Sequence, residues 1–172
     1  KHHADIIRYS RSLGLDAALI TNGVIDVSEL TDCLEWLRFS VDGGTEDVYE
    51  RQHGRKGHFQ RVIDNVRKAV DCKRRNASSC TIGVGYVLSV DLIDDIEPFV
   101  ELWKDIAVDY IQFRPRMDTL DAKWGDASVA PWNIVDELSK RDPRVTKSAA
   151  KADGIEHGDS GRTKLCHGTF ME

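Results

Sequence analysis

The sequence predicts an α/β fold built on a parallel sheet, and two observations carry this. Helix-period and strand-length apolar runs alternate along the 172 residues in the order αβαβαβαβα. Such alternation implies a parallel sheet with right-handed crossovers. The strand-length runs at 17–20, 82–88 and 110–113 are continuous in apolar character, as expected of strands buried on both faces. Residues 1–147 form this core. Residues 148–172 form a polar, Gly-rich, loosely ordered C-terminal segment.

Each element has its own signal. Ile6, Ile7 and Leu13 fall at helical spacing over 4–13, and Gly14 follows as a stop. Residues 15–20 read as a buried strand that ends in Thr21, Asn22 and Gly23. Asp26-Val27-Ser28-Glu29 matches a capping box and opens a short helix to about 34. A strand over 36–41 leads into a polar, Gly-rich stretch over 42–57 with one helical turn at 46–51. Phe59, Val62, Ile63, Val66, Ala69 and Val70 make the i, i+3, i+4, i+7 stripe of the longest helix. A turn at 76–79 precedes the strand 80–88. Ile93, Ile96, Phe99, Val100 and Trp103 mark another amphipathic helix, and 110–113 the last strand. Residues 114–130 read as a long loop, and Pro131 suits the first turn of a helix to about 138.

Composition narrows the function classes. The longest apolar stretches are of strand length, so no transmembrane helix is expected. A net charge of −5 and a pI near 5.7 argue against nucleic acid as the main partner. The basic run Lys73-Arg74-Arg75 reads as a solvated helix end. Cys33, Cys72, Cys80 and Cys166 have neither CxxC nor CxxxCxxC spacing, which implies a reducing, cytoplasmic compartment. No secretory signal is visible, and a start at Lys1 suits a fragment or processed product.

In parallel α/β sheets the ligand sits at the C-terminal ends of the strands. That rule selects Thr21, Asn22 and Gly23; Ser40 and Asp42; Leu88 and Ser89; and Arg114 and Arg116. Ser40 and Asp42 alternate to one strand face, so both can meet one ligand. Arg114 and Arg116 likewise share a face and offer planar forks to a carboxylate or phosphate. Each feature also has a plain structural use: a tight turn, a helix cap, a surface ion pair. Their joint placement on successive strand ends favours function.

Six passages carry a resemblance. Leu19-Ile20-Thr21-Asn22-Gly23 is similar to the third strand of radical S-adenosylmethionine enzymes, and Leu37-Arg38-Phe39-Ser40-Val41-Asp42-Gly43 to their fourth. The most specific passage runs from Tyr49-Glu50-Arg51-Gln52-His53-Gly54-Arg55 into Phe59-Gln60-Arg61-Val62-Ile63-Asp64-Asn65-Val66. Residues 82–88 and 109–115 resemble the fifth and sixth strands. Leu165-Cys166-His167-Gly168 resembles the start of the C-terminal extension of members with auxiliary clusters.

The resemblance implies a partial (β/α) TIM-like barrel of about four βα units, without its first two strands. The family's CxxxCxxC loop, which holds a 4Fe-4S cluster, and its Gly-Gly-Glu loop are absent from the sequence. The intact enzyme would cleave S-adenosylmethionine reductively to a 5′-deoxyadenosyl radical, acting on a small-molecule or peptide substrate. This chain is expected to bind no cofactor and to be inactive. Ser40 and Asp42 would contact the ribose or carboxylate of S-adenosylmethionine, with Thr21, Asn22 and Gly23 lining the same pocket. Leu88 and Ser89 would lie near the adenine, and Arg114 and Arg116 would face the substrate. Cys166 would be the first ligand of an auxiliary cluster. A bare edge on the strand at 17–20 would drive homo-oligomers. Two further readings stay open. One is a small α/β domain binding a nucleotide or phosphate. The other is an unrelated half-barrel hydrolase or aldolase using Asp42, His53 or Lys56.

Overall fold

The computed structural model describes residues 2–115, 129–148 and 165–169. Helix α1 (His3–Ser12) leads into β1 (Asp16–Thr21), a 3-10 turn (Ser28–Leu30) and β2 (Trp36–Ser40). Helices α2 (Glu46–His53) and α3 (Phe59–Arg75) precede β3 (Thr81–Leu88). A second 3-10 segment (Val90–Asp95) runs into α4 (Ile96–Leu102), then β4 (Tyr110–Pro115), α5 (Val129–Arg141), β5 (Val145–Lys147) and β6 (Leu165–Thr169).

All strand pairs are parallel, in the order β5-β4-β3-β2-β1-β6. Strands β1 to β5 lie in chain order, each beside the one before. This is the winding of a barrel wall, here left open. The α/β class and the four long strands stand as the sequence predicts.

One face of the sheet is apolar. The α3 stripe is buried throughout, from Val62 and Val66 at 0 % exposure to Phe59 at 9 %. It packs with Leu37, Phe39, Ile82 and Val84 in a single core cluster. The rings of Tyr86, Phe99, Phe113 and Trp103 continue that core, with centroids 4.7–5.8 Å apart.

The other face corrects the expectation of strands buried on both sides. Only β3 is nearly so; β1 and β2 alternate buried and half-buried residues. The opposite face of β2 and β4 carries Trp36, Arg38, Ser40, Tyr110, Gln112 and Arg114, all half-buried. A barrel's inner face has no helix layer, so it tolerates polar side chains.

Four further expectations are corrected. In α1 only Ile7 of the apolar stripe is buried; Ile6 and Leu13 are 49 % and 58 % exposed, because the helix meets the sheet along one narrow line. The Asp26 motif is not a capping box. Asp26 Oδ1 accepts from the Ser28 amide in a local turn, while Glu29 pairs with Arg8 at 3.2 Å. Residues 165–169, read as tail, add a strand to the sheet, and 145–147 add another. The bare outer edge of β1 is also overturned: β6 pairs along it from Asp16↔Leu165 to Ile20↔Thr169. Unpaired backbone groups on an apolar strand are costly, and the chain's own segment satisfies them.

Candidate functional site

Three loops at the C-terminal ends of β1, β2 and β3 make the candidate site, and each is held by specific bonds. After β1, Thr21 Oγ1 accepts from the Gly23 amide at 3.1 Å and Asn22 Oδ1 from the Val24 amide at 3.1 Å. Gly23 has φ +78°, and an added Cβ would meet Val62 Cγ1 at 2.9 Å. Buried Asn65 of α3 donates Nδ2 to the Gly23 carbonyl at 2.8 Å and approaches the Val24 carbonyl at 3.3 Å. Asn65 therefore clamps the turn of Thr21, Asn22 and Gly23 to the longest helix.

After β2 the chain leaves strand geometry at once. The Val41 and Asp42 amides both donate to the Gly85 carbonyl at 3.2 Å, and Asp42 has φ 53°. Strand alternation therefore does not place Ser40 and Asp42 together, as the sequence suggested. The left-handed turn aims Asp42, whose Oδ1 accepts from the Val87 amide at 2.8 Å. Gly43 and Gly44 follow, where added Cβ atoms would stand 2.6 Å from the Tyr49 nitrogen and 2.3 Å from the Phe99 nitrogen.

Buried Asp95 fastens this loop. Its Oδ2 accepts from the Gly44 amide at 2.7 Å and the Tyr86 hydroxyl at 3.0 Å, and its Oδ1 from the Thr45 hydroxyl at 3.2 Å. Thr45 in turn caps α2, accepting from the Val48 amide. The sequence reading missed Asp95. Its one sequence signal is a carboxylate just ahead of an apolar helix.

After β3, Leu88 is 5 % exposed and belongs to the core, so only its backbone faces the site. Ser89 Oγ donates to Asp91. Arg114 stands on β4 in register with Val87. Arg116 lies outside the described residues.

The electrostatics follow from this placement. Burial lifts the Asp42 carboxyl above its ordinary range, opposed by Arg114, His53, the Val87 amide and Arg38. His53 Nε2 lies 3.0 Å from the Val41 carbonyl and its ring 4.4 Å from that of Tyr49. A carbonyl only accepts, so Nε2 carries the proton. Lys56 is exposed. The hydrolase reading thus has Asp42 and His53 in one neighbourhood, with Lys56 on the surface.

The cysteines do not converge on these loops. Cys33 precedes β2, Cys72 lies near the end of α3, and Cys80 precedes β3. Cys166 pairs in register with Ala17 near the start of β1. All four sit toward the N-terminal end of the sheet, opposite the loops above. Among the described residues no group of three His, Cys, Asp or Glu side chains is placed to hold a metal. No described helix is long and apolar enough to cross a membrane.

The fold is shared with a known protein. SuiB of Streptococcus suis, in a structure bound to S-adenosylmethionine, superposes with a TM-score of 0.62 at 10 % identity. That match covers 84 % of this chain and 35 % of SuiB. A second SuiB structure gives a TM-score of 0.61 at 10 % identity, covering 94 % of this chain and 40 % of that one. The chain spans well under half of SuiB's length. No protein-family model and no curated protein matches the sequence.

Proposed function

We propose that the ends of β1, β2 and β3 form half of an S-adenosylmethionine pocket, on a wall equivalent to strands three to six of a radical S-adenosylmethionine oxidoreductase. The observation that carries this reading is the Asp42 turn. A left-handed residue holds a carboxylate at the strand ends, fixed by the Val87 amide, beside His53 and Arg114. A carboxylate held there suits the hydroxyls of a ribose. Ser40 ends β2 two residues before Asp42, half-buried on the polar face. The bound S-adenosylmethionine of one SuiB structure on this fold supports the assignment.

The residues fit an adenosyl ligand in part. Thr21 Oγ1 and Asn22 Oδ1 accept from their own turn, so they shape the pocket wall. Gly23 lets the chain pass against α3. The backbone of Leu88 and Ser89 would border the adenine, and Arg114 with Arg116 the substrate. When bound together with a 4Fe-4S cluster, S-adenosylmethionine supplies a carbon radical that abstracts hydrogen. The cysteines of this chain do not converge at that end of the sheet, so another CxxxCxxC-bearing segment must hold the cluster. Cys166 is assigned to an auxiliary cluster whose remaining ligands are not among the other three cysteines.

Saturation-transfer NMR with S-adenosylmethionine and the folded chain tests the half pocket. Adenine and ribose protons are expected to receive saturation, with a Kd of ~1 mM, about −4 kcal/mol. Asp42→Ala removes it while the fold persists. Absence of transfer from the wild-type chain, or transfer unaffected by Asp42→Ala, rejects the site. Anaerobic reconstitution with iron and sulfide is expected to yield no four-iron cluster on this chain. A stable one would overturn the assignment of the cluster to another segment.

A further inference from the structure

The polar face of the sheet holds a second group of residues, below the strand-end loops. Gly83 and Gly85 of β3 lie in register between β2 and β4. Without their side chains, residues of the two flanking strands meet above β3. An added Cβ at Gly83 would stand 2.1 Å from the Tyr110 ring, and one at Gly85 3.5 Å from Arg38 Cδ. Tyr110 stacks parallel to Trp36 at 6.3 Å, and the Arg38 guanidinium lies over Trp36 at 5.2 Å. Arg38 Nη1 donates to Gln112 Oε1 at 2.7 Å. The guanidinium is therefore held by two contacts, the Trp36 ring and the Gln112 side chain.

This layer has donors left over. The Nε–H groups of Arg38 and Arg114 are buried with no acceptor among the described residues. The Tyr110 hydroxyl, approached by the Trp36 indole, makes no hydrogen bond of good geometry. Arg38 and Arg114 lie close enough for each other's field to count, and Asp42 acts on both and on His53. Asp42 already uses Oδ1 on the Val87 amide. Two neighbouring guanidiniums with idle Nε–H groups, one of them held by Gln112 and Trp36, suit a planar oxyanion, which accepts from such forks in pairs.

We propose that Arg38 and Arg114 bind a carboxylate group of the substrate on the inner face of β2–β4, with Gln112 and Trp36 orienting Arg38. This names the substrate class, and it rests on the reading above only in assigning the carboxylate to a substrate. Anion binding needs no cofactor, so either proposal can fail alone.

The test follows the arginine Nε–H resonances of the ¹⁵N-labelled full chain during titration with sodium acetate, inorganic phosphate or sodium chloride at matched ionic strength. Acetate is expected to move the Arg38 and Arg114 signals saturably, while exposed Arg67 of α3 follows acetate and chloride alike. Arg38→Gln weakens acetate binding about tenfold or more, a loss of about 1.4 kcal/mol. Arg38→Lys keeps the charge, loses the fork and weakens it as well. If Arg38→Gln does not fold, the wild-type titration and Arg114→Gln decide. Unmoved Nε–H signals, or shifts no larger than chloride produces, overturn the proposal. Saturation by phosphate with none by acetate overturns the carboxylate assignment.

Discussion

Asp42 shows at the residue scale how backbone geometry and charge act together. Its φ of 53° is uncommon outside glycine, and the Val87 bond holds it there. Burial, the largest influence, raises its carboxyl above the usual range. A raised acid stabilises the fold while protonated, below its unfolded value. That stabilisation is lost as pH rises through the folded value. Asn keeps the acceptor for Val87 and carries no charge. Asp42→Asn is therefore expected to raise the urea midpoint at pH 7 and leave it unchanged near pH 3, where both side chains are neutral. A lower midpoint at pH 7 would mean that Arg114 and Arg38 outweigh burial. Asp42 was legible as a candidate in the sequence. Its orientation was not, because it depends on the Gly85 carbonyl of another strand.

At the element scale, the β2–α2 connection is decided by close approach. Gly44 lies against the backbone of α4, with an added Cβ 2.3 Å from the Phe99 nitrogen and 2.8 Å from the Pro98 carbonyl carbon. Backbone yields less than a flexible side chain does. Gly44→Ala is expected to cost about 1–3 kcal/mol or more, read as a lower urea midpoint. Saturation transfer to S-adenosylmethionine should weaken in parallel, since this loop carries Asp42. An unchanged midpoint would show that α4 shifts freely. Helix α3 was legible residue by residue, because its stripe and its burial coincide. Strand β5, three residues long, was not: Val145 is its one buried residue.

At the scale of the whole molecule, β6 changes the expected association. The sequence made β1 an unpaired edge and a seam for homo-oligomers; the structure covers that edge with residues 165–169. Removing residues 165–172 bares β1 and is expected to produce concentration-dependent self-association at micromolar protein, seen by sedimentation velocity. A monomeric truncated chain would show that the edge is protected by other means. A parallel pairing some 150 residues apart in sequence leaves no local pattern from which to infer it.

The sequence alone determined the α/β class, four of the strands and the helix stripe, because these depend on periodicity within a few residues. It also marked the strand ends that hold Asp42 and the turn clamped by Asn65. Only the tertiary structure decided which way Asp42 points, what Asp95 fastens, how Gly83 and Gly85 let Arg38 reach Gln112, and where the tail pairs. Each of these is a contact between elements far apart in sequence, set by distances that no local pattern encodes.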